Sequence, residues 1–334
     1  MMTRRQFLAT TALTILDASI PGRVVAAPQV QPLRVIVFPG GFNLPLWVAQ
    51  EKGYLAQRGL AVQLTPTPSS VFQLTHLIDG EFDIAMTAID NVIAYDEGQG
   101  EVLAPGRPDL LAFMGGDSGF LRLIVKPEIQ TYADLRGKTL SVDAPSTGYA
   151  FVLRKMLEAN GLGPKDYSLV PAGGVLERWQ ALLRGEHAGT LLVTPFEVLA
   201  QQRGFRLLGN ALDVLRRYQG VVGAARRSWA ATHRELLVGF IRAYRDALTW
   251  LYSPGNREEG IQILGRNAKF PSDLARKAFE ILVDPFTGFA PAAAPDFEGI
   301  RTVLELRNQY TSPHKGLGGP LTYVDLRYYL AGEP

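Results

Sequence analysis

Apolar residues occur along the first two thirds of the chain in short runs that alternate with stretches of helical spacing. Residues 33–38 (LRVIVF) form one such run, which Pro39 and Gly40 end. Asn43 is a favourable N-cap for the next helix, and Gly53 is a favourable stop. The pattern predicts strands at 33–38, 60–65, 83–86, 121–125, 139–142, 167–170 and 189–193, and helices at 45–52, 70–79, 91–97, 147–160 and 176–183. This alternation is typical of mainly parallel sheets flanked by helices.

One pattern occurs twice. Residues 76–90 and 181–197 each read as a helix, a Gly-Glu turn, a short strand and then Thr-x-x-acid at the start of another helix. The repeat predicts two α/β lobes of similar topology. Parallel sheets bind ligands at the carboxyl ends of their strands, so we expect a cleft between the lobes.

The last third of the chain has a different pattern. Helical spacing predicts helices at 235–252, 257–267, 271–282 and 297–310. The segment 286–295 (FTGFAPAAAP) is rich in proline, alanine and glycine and is predicted to be a surface loop. The aromatic segment 323–330 (YVDLRYYL) is expected to pack on the first lobe.

The N-terminus has the features of an export signal. Arg4 and Arg5 form a twin-arginine pattern, an apolar stretch follows at 8–16, and small residues precede Ala27. The stretch is too short to span a bilayer, which takes about 20 residues. We therefore predict a twin-arginine-type signal peptide at 1–26.

Composition excludes several classes of function. The 334 residues include no cysteine, which excludes disulfides, thiol nucleophiles, thiolate metal sites and a cysteine-linked lipid anchor. The four histidines have no metal-ligand spacing, so no metal or cofactor is predicted. Without residues 1–26 the chain has 31 basic and 31 acidic residues, and this neutrality argues against nucleic acid as a partner.

Several segments resemble a known family. They are 45–55 (PLWVAQEKGYL), 59–62 (GLAV), 77–85 (LIDGEFDIA), 134–138 (DLRGK) and 145–148 (PSTG). Together they resemble the ABC-importer solute-binding proteins of the family that binds sulfonates, nitrate, taurine and thiamine precursors. The resemblance implies the two-lobed α/β fold of type II periplasmic binding proteins, with the C-terminal helices on lobe one. Lobe one would comprise 33–118 and 222–334, lobe two 119–221, and the crossovers would lie near 116–121 and 219–224.

The resemblance also implies a function. A periplasmic, non-enzymatic, monomeric receptor would close on a small-molecule ligand and deliver it to a membrane permease and its ATPase. Two alternatives stay open: a receptor that signals to a membrane sensor, and an enzyme on the same fold. Residues 116–119 (GDSG) match a protease nucleophile motif, but the α/β pattern favours a hinge turn there.

The candidate ligand contacts lie in loops that follow the strands. They include aromatic residues that could stack on a flat ligand, and hydroxyls and backbone N–H groups at helix starts. The carboxylates of Asp90 and Glu197 either contact the ligand or cap helices. No arginine or lysine lies in these loops, which argues against a specialist for sulfonate or nitrate and for a polar organic ligand, whose charge stays open. The candidates are Phe38, Phe42, Asn43, Ser69, Ser70, Thr87, Asp90, Asn91, Ser146, Thr147, Gly148, Tyr149, Gly173, Thr194 and Glu197.

Overall fold

The computed structural model describes residues 31–103, 108–312 and 314–333. The predicted signal peptide lies outside these residues. The described strands are β1 (Gln31–Val37), β2 (Leu60–Pro66), β3 (Ile84–Ala88), β4 (Leu110–Gly115), β5 (Arg122–Val125), β6 (Lys138–Val142), β7 (Tyr167–Pro171), β8 (Gly189–Leu192), β9 (Arg206–Asn210) and β10 (Val221–Arg226).

The helices surround these strands. They are α1 (Leu44–Glu51), α2 (Ser70–Ile78), α3 (Ile89–Asp96), α4 (Gly148–Ala159), α5 (Val175–Leu183), α6 (Phe196–Gln202), α7 (Leu212–Leu215), α8 (Arg227–Thr232), α9 (Arg234–Tyr252), α10 (Arg257–Ala268), α11 (Ser272–Leu282), α12 (Phe297–Tyr310) and α13 (Leu326–Ala331). No helix among the described residues is long and apolar enough to cross a membrane.

The strands form two five-stranded sheets, in the orders β2-β1-β3-β10-β4 and β7-β6-β8-β5-β9. In each sheet the fourth strand runs against its two neighbours, and it is the strand that enters from the other lobe. The other four strands of each sheet run in one direction. The predicted two-lobed α/β fold is therefore confirmed, with mixed rather than purely parallel sheets.

The sequence analysis missed three strands. It assigned no element to β4 or β9, and it treated the start of β10 as a crossover. The sequence of β10 (VVGAAR) has a glycine and two alanines, which have weak strand propensity. Its strand state comes from pairing with β3 on one side and β4 on the other.

The segment 286–295 is a loop with exposed residues, as predicted, and Phe286 is 91% exposed, but part of the loop is buried. Phe289 is buried, and its ring packs edge-on against Phe120. The backbone N–H of Gly115 donates to the carbonyl of Ala293 at 2.9 Å, and that of Ala290 donates to the carbonyl of Gly116 at 2.9 Å. The segment therefore supports the first crossover between the lobes.

The aromatic segment near the C-terminus packs on lobe one, as predicted. Val324 pairs with Ala112 of β4 in an isolated parallel bridge. The side chains of Tyr323, Tyr328 and Tyr329 are buried.

The two crossovers are bonded to each other. The backbone N–H of Gly116 donates to the carbonyl of Val221 at 2.8 Å, and that of Gly220 donates to the carbonyl of Asp117 at 2.9 Å. The Asp117 carboxylate oxygen Oδ1 accepts from the N–H groups of Gly119 at 2.8 Å and Val221 at 3.1 Å. The buried side chain of Asp117 thus helps to hold together the two chain segments that pass between the lobes.

Candidate functional site

A cavity lies between the lobes, at the carboxyl ends of the strands. Its volume is about 50 Å³. Since one water needs roughly 10–15 Å³, the cavity has room for a few waters or a small molecule. The lining residues are Phe38, Phe42, Ala88, Asn91, Asp117, Gly119, Phe120, Asp143, Thr147, Gly148, Tyr149, Val175, Arg178, Val193 and Val221.

Hydrogen bonds join the lobes around this cavity. The backbone N–H of Gly41 donates to the carbonyl of Thr194 at 3.2 Å, and that of Gly174 donates to the carbonyl of Pro68 at 2.7 Å. The N–H of Ser70 donates to Asp143 Oδ2 at 2.9 Å. Because each bond joins loops of opposite lobes, the conformation is a closed one.

Six of the predicted site residues line the cavity. Phe38 and Phe42 come from the connection between β1 and α1, and Asn91 comes from the first turn of α3. Thr147, Gly148 and Tyr149 come from the start of α4. The aromatic rings of both lobes thus contribute to one apolar wall.

The other nine predicted residues lie outside the lining in this conformation. Several have structural partners instead: Ser69 Oγ caps α2 by accepting from the N–H of Phe72, and Thr87 Oγ1 accepts from Asn91 Nδ2. The Ser146 hydroxyl donates to Glu101 Oε1 at 2.6 Å. The nine residues are Asn43, Ser69, Ser70, Thr87, Asp90, Ser146, Gly173, Thr194 and Glu197.

Asp90 does not cap its helix. Both its oxygens accept from Arg307 of α12, from Nε at 2.8 Å and from Nη2 at 2.5 Å, and both side chains are buried. Arg307 Nη2 also donates to the carbonyl of Ser146 in lobe two at 3.0 Å. The ion pair therefore connects the two lobes directly behind the cavity wall.

Glu197 also has an arginine partner. Its Oε1 accepts from Thr194 Oγ1 at 2.6 Å and from Arg122 Nη1 at 3.2 Å. Burial raises the pKa of Glu197 above its usual range, and the charge of Arg122 opposes that shift. Since α3 and α6 have no side-chain N-cap bond, the capping-box interpretation of both acidic residues is wrong.

The sequence analysis missed the charged residues of the cavity. Arg178 lies on α5, one turn beyond the loop in which basic residues were sought, and only 3% of it is exposed. It donates to the carbonyls of Gly173 at 2.8 Å and Leu191 at 3.3 Å. Burial lowers the pKa of the Arg178 guanidinium, although the charge of Asp143 opposes that shift. Helical spacing from the Gly173-Gly174 turn was the signal that could have found it.

The cavity also contains two carboxylates. Asp143 Oδ2 accepts the bond from Ser70, whereas Oδ1 is buried and has no partner among the described residues. Burial raises the pKa of Asp117 to about 6, although the N–H groups of Val221 and Gly119 oppose that shift. Among the described residues, no cluster of three or more acidic or histidine side chains could hold a metal ion.

Gly148 is expected to tolerate no side chain. A Cβ added there would lie 2.5 Å from Asp90 Cβ, whose position Arg307 holds. We expect Gly148→Ala to lower the free energy of unfolding by about 1–3 kcal/mol through overpacking. Urea denaturation checks this, with Gly255→Ala as the control because nothing lies within 4 Å of the added carbon. Equal stability of the two variants would contradict the close packing of α4 on Asp90.

Solved structures with similar folds come from several organisms. The ligand-binding component of an ABC-type import system from Staphylococcus aureus has a TM-score of 0.74 at 13% identity, covering 91% of this chain and 99% of that one. The alkanesulfonate-binding protein SsuA from Xanthomonas axonopodis pv. citri, bound to MOPS, has a TM-score of 0.65 at 18% identity, covering 85% and 92%. At these identities the similarity establishes the fold.

An enzyme shares this fold. A cysteine-to-serine variant of the desulfurization enzyme DSZB, in complex with biphenyl-2-sulfinic acid, has a TM-score of 0.61 at 15% identity, covering 90% of this chain and 98% of that one. This chain has no cysteine at any position.

The sequence itself also matches a family. No curated protein matches the sequence. A family described as NMT1/THI5 like matches residues 43–256, which is more than half of the chain and includes every residue of the cavity lining except Phe38 and Phe42. The chain therefore belongs to the NMT1/THI5-like family and has the fold of periplasmic solute-binding proteins of ABC importers.

Proposed function

We propose that this protein is the solute-binding component of an ABC importer, which captures a small polar organic molecule between its lobes by hinge closure. The observation that carries the proposal is the cavity at the strand ends of both lobes, closed by hydrogen bonds between them. Ligands of open parallel sheets bind at this position. The membership in the NMT1/THI5-like family supports the same function.

The mechanism is a shift between open and closed conformations. A ligand that contacts both lobes binds the closed conformation more tightly and so favours it. The proposed hinge is formed by the crossovers near 116–121 and 219–224. In this proposal lobe one comprises 33–118 and 222–334, and lobe two comprises 119–221. The bonds of Asp117 to Gly119 and Val221 hold these crossovers side by side while the lobes rotate.

The proposed location follows from the N-terminal sequence. The twin-arginine pattern at 1–26 would export the folded protein to the periplasm, and the absence of cysteine argues for a form without a lipid anchor. There a monomer would dock on a membrane permease, whose ATPase drives import. The alternative of signalling to a membrane sensor would use the same closure.

The cavity lining favours a partly apolar ligand. Phe38, Phe42 and Tyr149 provide faces for a flat or aliphatic group, and Asn91 and Thr147 provide polar contacts. Aromatic acids, sulfonates and pyrimidines of the thiamine-precursor type are the classes to test first. An enzymatic function on this fold would have to proceed without a cysteine nucleophile.

A ligand is expected to stabilise and compact the mature protein. At 100 times the dissociation constant, a single ligand raises the free energy of unfolding by about 2.7 kcal/mol. The measurement is a thermal-shift screen with sulfonates, nitrate, amino acids, pyrimidines, polyamines and aromatic acids, followed by small-angle X-ray scattering of each hit. A decrease in the radius of gyration supports the receptor. A hit that is chemically converted by the protein would instead support the enzyme.

A further inference from the structure

The charges that line the cavity are of both signs. Of the described lining residues, Arg178, Asp117 and Asp143 have charged side chains. Asp117 is bonded to the crossovers, with Oδ1 accepting from two backbone N–H groups. Burial raises the pKa of Asp117 to about 6, so below that pH Arg178 and Asp143 are the charged groups available to a ligand on the side of lobe two.

Arg178 has no carboxylate partner. Its two hydrogen bonds to described residues go to backbone carbonyls, and no described acidic oxygen lies within 4.0 Å of its nitrogens. A guanidinium has five N–H donors, so further acceptors can be bound. Burial of an arginine is costly, and the charges of Asp143 and Glu177 offset only part of that cost because neither carboxylate is bonded to Arg178. An acceptor group on the ligand would offset more of it.

Asp143, in contrast, lacks a hydrogen-bond donor. Its Oδ1 is buried without a donor, although Oδ2 is bonded to the N–H of Ser70 across the cleft. A buried carboxylate oxygen that lacks a donor is destabilising. A ligand N–H or O–H group would supply the missing bond, whereas a simple oxyanion would add repulsion.

The remaining buried charges behind the wall are already neutralised. Asp90 is paired with Arg307, and Glu197 is paired with Arg122. These two pairs leave no net charge for the ligand to balance, so below about pH 6 the polarity of the site depends on Arg178 and Asp143.

We propose, building on the receptor function above, that the ligand is a net-neutral molecule that offers an acceptor to Arg178 and a donor to Asp143. A zwitterion and a carboxamide both have this chemistry. The apolar part of such a molecule would lie against Phe38, Phe42 and Tyr149. Nitrate and alkanesulfonates, which only accept hydrogen bonds, would be poor ligands.

Calorimetric titration with small probes at pH 5, where Asp117 is uncharged, tests this proposal. Three probes are net-neutral. Phenylglycine and para-(aminomethyl)benzoate are zwitterions that differ in the distance between ammonium and carboxylate, and benzamide is a carboxamide. Benzoate tests an acceptor alone, benzylamine a donor alone, and methanesulfonate and nitrate test oxyanions. We expect at least one net-neutral probe to bind at least ten-fold more tightly than benzoate, benzylamine and both oxyanions.

Two variants separate recognition from a structural role. Asp143→Asn keeps an oxygen acceptor for Ser70 but removes the charge. We expect this variant to raise the affinity for benzoate, relative to the affinity for the net-neutral probes, by ten-fold or more. Arg178→Met keeps much of the side-chain length and is expected to raise the affinity for benzylamine relative to the affinity for the net-neutral probes. A purely structural role would weaken all probes alike, and circular dichroism verifies that each variant is folded.

The outcomes distinguish this proposal from the receptor function. If benzoate or an oxyanion binds as tightly as the best net-neutral probe, the ligand class proposed here is wrong and the receptor function stands. If no net-neutral probe binds while another compound from the earlier screen closes the lobes, the proposed ligand class is again wrong and the receptor function again stands. If nothing in either set binds, both proposals fail.

Discussion

Replacement of Arg307 by methionine is expected to lower the free energy of unfolding by about 3–5 kcal/mol. The reason is that Asp90 would remain buried without a counter-ion, which costs more than the pair itself contributes. The change would also remove the bond to the Ser146 carbonyl, which joins α12 to lobe two. Urea denaturation measures the loss, and X-ray scattering measures the accompanying opening of the lobes.

Two controls make this prediction specific. The double variant Asp90→Asn with Arg307→Met removes both charges, and we expect it to be more stable than Arg307→Met alone. Arg301→Met on the same helix removes an exposed pair with Glu298 and should change stability by less than about 1 kcal/mol. A loss below about 1 kcal/mol for Arg307→Met would contradict the buried ion pair, because it would mean that water solvates Asp90 in the folded protein.

Asp117→Asn is expected to change the pH dependence of stability. The folded-state pKa of about 6 is higher than the ordinary value of 3.8, so the native protein retains a proton that the unfolded chain has released. The contribution of Asp117 to wild-type stability therefore falls as pH rises from about 4 to about 6, because a buried charge forms there without a counter-ion. Two pKa units correspond to about 3 kcal/mol.

The variant isolates that contribution. Asparagine retains an oxygen to accept from Gly119 and Val221 but does not ionise in this range. Between pH 4 and pH 7 the free energy of unfolding of the variant should therefore rise by about 3 kcal/mol relative to that of the wild type. Chemical denaturation at several pH values measures it. A difference that is constant across this range would mean that Asp117 ionises in the folded protein at its ordinary pKa.

Much of the fold could be predicted from local patterns. Apolar runs with glycine or proline residues close to their ends located β1, β2, β6 and β7, and helical spacing predicted α12 with its observed bounds. The internal repeat predicted the two-lobed arrangement, since the strand in each copy, β3 or β8, takes the same position in its own sheet. These features depend on residues close together in the chain, which is why the sequence alone shows them.

The electrostatics of the site depended on the tertiary structure. Asp90 and Glu197 looked like helix caps because Thr-x-x-acid is a local signal. The Thr194 hydroxyl does donate to Glu197, but the charged partners of the two carboxylates are Arg307 and Arg122, which are far away in the chain. The position of Arg178 on the cavity side of α5 is likewise set by packing. Sequence thus determined the fold class, the family and the position of the cleft, whereas only the folded chain decided which charges are neutralised and which face the ligand, because ion pairing between distant segments depends on distances in space.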